Sequence, residues 1–120
     1  MRRVYIDGIF DLFHRGHLES LKQAKSIGEN TYLIVGVISD EVATDYKRVP
    51  IIRHEDRVEI IKNLSIVDEV IEKAPLVITK EFVETNNIDL VVHVPELFAN
   101  DHILDLSSEN QSYREISIKN

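Results

Sequence analysis

The 120-residue chain contains no cysteine. That excludes a disulfide framework and a thiolate metal site, and is compatible with a reducing compartment. No apolar run approaches the ~20 residues of a membrane-spanning helix. Met1-Arg2-Arg3 leads directly into a strand-like run rather than a signal-peptide core. A cytoplasmic protein with no membrane insertion is the expectation. An excess of positive charge is missing too: 21 acidic residues against 14 Lys and Arg give a formal net charge of −7. A nucleic-acid partner, which usually selects a basic surface, is therefore disfavoured. No internal repeat, low-complexity segment or linker interrupts the sequence, so residues 1–120 are read as one domain. With 43% hydrophobic and 29% charged residues, the composition is that of a globular chain and argues against disorder.

What is present centres on residues 4–17. Val4 to Ile6 reads as a buried strand, Asp7-Gly8 as a breaker, and His14-x-Gly16-His17 as the entry to an amphipathic helix over His17 to Ser26, with Gly28 as its C-cap. A strand, a glycine-containing turn and a helix N-terminus form an anion site, because free N–H groups and the positive end of the helix dipole face the ligand. Gly16 lets the backbone approach a phosphate. Two imidazoles three residues apart there suit a triphosphate. The acidic chain must gather its cations locally, and Lys47, Arg48, Arg53, His54 and Arg57 fall within one short segment. His14 and His17 as a zinc site lack a third ligand at a convincing spacing, so no protein-bound metal is expected.

The rest of the chain alternates. Tyr32 to Ile38 is a nearly continuous apolar strand, Ser39-Asp40-Glu41 caps a short helix or turn, and Glu55 to Leu64 is a helix with Val58, Ile61 and Leu64 on one face. Val67 to Ile71 is a third strand, Thr79 caps a helix over Glu81 to Thr85, and Ile88 to Val94 is a fourth strand. Pro95 to Ser108 reads as loop or partial helix, and Tyr113 to Ile118 as an edge strand. Alternating strands and helices predict an α/β, Rossmann-like, doubly wound parallel sheet, with ligands beyond the carboxyl ends of the strands. His14, Ser39 and His93 fall at such ends.

The run D-G-I-F-D-L-F-H-x-G-H closely resembles the nucleotide-binding signature of the cytidylyltransferase family, and is most like its choline-phosphate members. Further matches are Lys47 in Tyr-Lys-Arg-x-Pro-Ile, Arg57 in Glu-Asp-Arg, Val67-Asp68-Glu69-Val70-Ile71 followed by Ala74-Pro75, and Ile88-Asp89 to His93. The glycerol-phosphate branch is the poorer match. The resemblance implies a transferase that joins CTP and a small phosphorylated alcohol, phosphocholine or phosphoethanolamine, into a CDP-alcohol and pyrophosphate for phospholipid headgroups. It implies Mg²⁺ accompanying the nucleotide, and a homodimer by family analogy. On that reading His14, His17 and Lys47 are catalytic. Gly8, Ile9, Phe10, His14, Gly16, His17, Arg57 and His93 meet the nucleotide. Asp7, Lys47, Leu76 and Phe98 meet the alcohol, Asp7 as the carboxylate for its ammonium.

Departures are visible as well. Leu76 stands where the choline enzymes carry tryptophan, and aromatic faces hold a quaternary ammonium. Val94-Pro95-Glu96 replaces the family's acidic pair after His93. The R-T-x-G-I-S-T-T signature that grips the nucleotide phosphates is not found in these 120 residues, so these residues alone are expected to bind CTP weakly. A nucleotide-binding or dimerisation module without turnover, and a truncated piece of an active enzyme, are the alternatives. Specificity for a uridine or adenine nucleotide remains open on composition.

Overall fold

A computed structural model describes residues 1–93 and the backbone of Arg114–Ser117. Its elements in order are β1 (Arg2–Gly8), α1 (Arg15–Lys25), β2 (Thr31–Ile38), α2 (Asp40–Tyr46), α3 (His54–Lys62), β3 (Glu69–Ala74), α4 (Lys80–Thr85), β4 (Leu90–His93) and β5 (Arg114–Ser117). The five strands form one sheet in the order β3-β2-β1-β4-β5, and every pairing is parallel. The expected α/β architecture is thus observed. From β1 the chain builds outward through β2 to β3, then returns to the other side of β1 for β4 and β5. The reversal lies between β1 and β4, where sheets of this kind open a crevice at the strand carboxyl ends.

Side-chain alternation along β1 explains both faces. Val4 and Ile6 join Leu33, Val35 and Val37 of β2 against Leu21 and Ala24 of α1 and Val58 and Ile61 of α3. Tyr5 points the other way, with Ile34, Val91 and Ile78, against Val83 of α4. Parallel strands covered on both faces carry continuous apolar runs, which is why β2 is buried from Leu33 through Ile38.

Several boundaries differ from expectation, for local reasons. Asp7 and Gly8 do not break β1; they are its last residues, paired with Gly36 and Val37. Helix α1 starts two residues earlier than expected and ends at Ser26 with φ −94° and ψ 7°, so Gly28 is not its C-cap. Gly28 N–H instead donates to the Thr31 hydroxyl. Strand β3 starts later than Val67 because Val67 N–H still donates to Leu64 O and the Asp68 carboxylate receives Leu33 N–H at 2.7 Å. Ser39 and Thr79 cap α2 and α4 as expected, accepting from Val42 and Phe82 N–H. Strand β4 begins at Leu90, because Ile88 N–H closes the end of α4 on Val83 O. Residues 94–113, with the loop expected from Pro95 and the alcohol contact expected from Phe98, lie outside the described residues. The edge strand expected at Tyr113 to Ile118 is β5 within its described part.

Candidate active site

A cavity of ≈ 320 Å³ opens at the carboxyl ends of β1, β2 and β4, lined among others by Asp7, Gly8, Ile9, Phe10, Asp11, His14, Gly16, His17, Lys47 and His93. The β1–α1 turn supplies most of this wall. To fold around it, Phe10 and Leu12 take left-handed backbone, with φ of 56° and 49°. Such conformations cost a bulky residue about 1–3 kcal/mol each. Packing holds the first of them: Phe10 is buried in the main apolar cluster, and its ring lies over Gly8, where a Cβ would come 3.1 Å from Cζ.

The two histidines cap α1 on each other. Gly16 N–H donates to His14 Nδ1 at 2.9 Å, and His14 N–H donates to His17 Nδ1 at 3.1 Å. The rings stack with centroids 4.1 Å apart. Because both Nδ1 atoms accept, each neutral ring carries its proton on Nε2, leaving Nε2–H as the donor available to a ligand. Burial lowers the His17 pKa below its ordinary value, the charge of His14 lowers it further, and Asp11 opposes both. The turn therefore favours neutral His17.

Gly16 is needed for space. No glycine in the chain has positive φ, but a Cβ on Gly16 would lie 2.7 Å from His14 Cε1 and 3.0 Å from its Nδ1. Gly16→Ala is expected to push the His14 ring off the helix start and cost about 0.5–2 kcal/mol of stability, the value of an N-cap. Urea unfolding checks this; stability and His14 ring resonances both identical to wild type would refute the cap.

Two long-range anchors set the facing wall, which carries Lys47. Asp11 Oδ2 and Oδ1 accept from Ile51 and Ile52 N–H, each at 2.8 Å, and tie the loop after α2 to the β1–α1 turn. Burial would raise the Asp11 carboxyl, but these two bonds and the nearby Arg48 and Arg57 charges leave it below its ordinary value. Arg57 is 0% exposed. It donates to Ile52 O, to Ile9 O and Ile38 O through Nη1, and to Asp40 Oδ1 at 2.6 Å. Asp40 in turn caps α3 by accepting His54 N–H through Oδ2.

Of the expected site residues, the fold brings Asp7, Gly8, Ile9, Phe10, His14, Gly16, His17, Lys47 and His93 to one cavity. Arg57 and Leu76 are not in its lining. Four of the five Arg57 N–H groups are committed to protein acceptors. The geometry therefore gives Arg57 a place behind the wall, in contrast to the expected contact with nucleotide. Leu76 packs with Ile38, Ala43 and Ala74, in a cluster that also holds Ile9. Reasoning from sequence missed Ser20, a buried lining residue whose hydroxyl donates to Gly16 O. Its place one turn after Gly16 was the available signal. No helix among the described residues is long and apolar enough to cross a membrane.

A family model described as cytidylyltransferase-like matches residues 5–118. Choline-phosphate cytidylyltransferase A of Rattus norvegicus is 47% identical over 91 residues, covering 76% of this chain and 25% of the rat protein. Ethanolamine-phosphate cytidylyltransferase of Dictyostelium discoideum is 45% identical over 92 residues, covering 75% and 25%. The chain thus spans about a quarter of the length of these curated relatives. Among solved structures, a lipopolysaccharide core biosynthesis protein from Thermoplasma volcanium GSS1 superposes with a TM-score of 0.81 at 25% identity, covering 98% of this chain and 96% of that one.

Proposed function

The chain belongs to the cytidylyltransferase-like family, and from that premise we propose that it is the catalytic part of a nucleotidyltransferase. The reaction joins CTP and a phosphorylated amino alcohol, phosphocholine or phosphoethanolamine, into a CDP-alcohol and pyrophosphate for phospholipid headgroup synthesis. The observation that carries this reading is the stacked histidine pair, with both Nδ1 atoms committed, at the start of α1 in the same cavity as Lys47 and Asp7.

In this reaction a phosphate oxygen of the alcohol attacks the α-phosphorus of CTP and pyrophosphate departs. The nucleophile needs no general base, because the second pKa of a phosphate monoester is about 6. The protein's work is positioning and charge stabilisation. His14 and His17 donate Nε2–H to the triphosphate, the N–H groups at the start of α1 add to them, and Gly8, Ile9, Phe10 and His93 line the nucleotide's side. Lys47 bridges the two substrates, and Asp7 pairs with the ammonium. Arg57 supports the site from behind. Mg²⁺ would arrive with the nucleotide, and Asp11, with both oxygens already accepting backbone N–H groups, would be a poor additional ligand for it. Bound with the nucleotide, it would neutralise charge on the phosphates. A homodimer is the assembly we propose.

Pyrophosphate release by the full-length protein tests the reading. Release from CTP is expected to require phosphocholine or phosphoethanolamine. Lys47→Ala should lower kcat by on the order of 10²-fold while raising the KM for CTP much less, since a charge bridging both substrates acts mainly in the transition state. Wild-type kinetics in that variant would reduce Lys47 to a loop residue.

A further inference from the structure

We propose that Tyr5 is a positioning residue for the alcohol pocket: its buried hydroxyl holds the Asp7 carboxylate in the orientation that receives the substrate ammonium. The inference rests on the pairing of Asp7 with an ammonium proposed above. Tyr5 and Asp7 are two apart on β1 and so share a face of the sheet. Tyr5 is 0% exposed, and Phe82 meets its ring edge-on, with centroids 5.1 Å apart. Its hydroxyl donates to Asp7 Oδ2 at 3.5 Å, while Asp7 itself lines the cavity.

The surrounding strands are shaped for that hydroxyl. A Cβ on Gly36 of β2 would overlap the Tyr5 oxygen, and would also lie 2.8 Å from Ala74 Cβ of β3. The notch exists because position 36 has no side chain. A phenyl ring would fill the same core position without a polar atom to satisfy, and burying a hydroxyl is unfavourable unless it finds an acceptor. The chain nevertheless places a hydroxyl there and directs it at the one carboxylate assigned to the alcohol. Burial first, and then the neighbouring Asp7 charge, raise the Tyr5 pKa well above its ordinary value, so the group stays a protonated donor.

The test is Tyr5→Phe in the full-length protein, with phosphocholine, phosphoethanolamine and glycerol 3-phosphate as probes, the last as substrate or competing inhibitor. The expected result is a fall of about 3- to 10-fold in kcat/KM for the two ammonium substrates, the range of one modest hydrogen bond. The KM for CTP and the behaviour of glycerol 3-phosphate, which carries no ammonium, should not move. An equal loss with all three probes would mean that Tyr5 serves only the core. Unchanged kinetics with both ammonium substrates would overturn the inference while leaving the proposed function intact. A wild-type protein that uses neither ammonium substrate would overturn both.

Discussion

Arg57→Met is expected to destabilise the protein by about 3–5 kcal/mol, the range seen when one partner of a buried, hydrogen-bonded charge pair is removed. The side chain of methionine fills part of the space but supplies no donor. Ile9 O, Ile38 O and Ile52 O lose their guanidinium partner, and Asp40 Oδ1 loses its counter-charge. Each buried acceptor left unsatisfied costs about 1–3 kcal/mol. Asp40, with its side chain 41% exposed, recovers part of its loss from water, which keeps the total below the sum. The three carbonyls come from the β1–α1 turn, the end of β2 and the loop before α3, so the variant also loosens the cavity.

The same pair sets an acid limit. Burial alone would raise the Asp40 carboxyl, but the Arg57 guanidinium and His54 N–H hold it below its ordinary value. A carboxylate depressed in the folded state binds protons more weakly there than in the unfolded chain. Its contribution is therefore complete above the unfolded pKa, near 4, and is lost as the pH falls through the folded value. Asp11 and Asp68 act in the same sense. Urea unfolding between about pH 3 and pH 7 should show stability rising with pH, less steeply in Asp40→Asn. A loss under about 1 kcal/mol for Arg57→Met, in the range of an ordinary surface change, would contradict the buried anchor.

His17→Ala is expected to lower kcat/KM by about 10²–10³-fold, by analogy with removal of one preorganised donor to developing oxyanion charge, worth about 2.7–4 kcal/mol. Two functions go at once: the Nε2–H donor, and the Nδ1 acceptor that receives His14 N–H. The second affects stability by about 1 kcal/mol, so the activity loss should far exceed the stability loss. Steady-state kinetics and unfolding on the same preparation separate them. Matching small losses in both would make His17 a helix cap and nothing more.

The central strands were legible because a parallel strand covered on both faces needs an unbroken apolar run, and Tyr32 to Ile38 has one. The histidine turn was legible because a strand end, a glycine and a helix start stand within a few residues of one another. The reason for Gly16 was not: phosphate access was the expectation, whereas the geometry shows room made for the His14 ring. Arg57 was placed at the nucleotide because Glu-Asp-Arg resembles the family's arginine at a helix start, a local match that says nothing of burial. Only the fold shows that three carbonyls and Asp40 converge on it. Asp11 belonged to the recognised run, but its partners Ile51 and Ile52 are about forty positions away, a distance no local pattern reports. The short strand β3 begins after Asp68, whose side chain takes Leu33 N–H while its own backbone N–H still donates to Leu33 O.

Long-range ¹H–¹⁵N spectra of the histidine rings in the full-length protein, recorded near neutral pH with and without CTP, test the central claim most directly. The account predicts that His14 and His17 both show unprotonated Nδ1 and protonated Nε2 in the free protein, as their two Nδ1 acceptor bonds require, and that CTP shifts the Nε2 signals of both. Protons on Nδ1 in the free protein, or signals that CTP leaves unmoved, would contradict it.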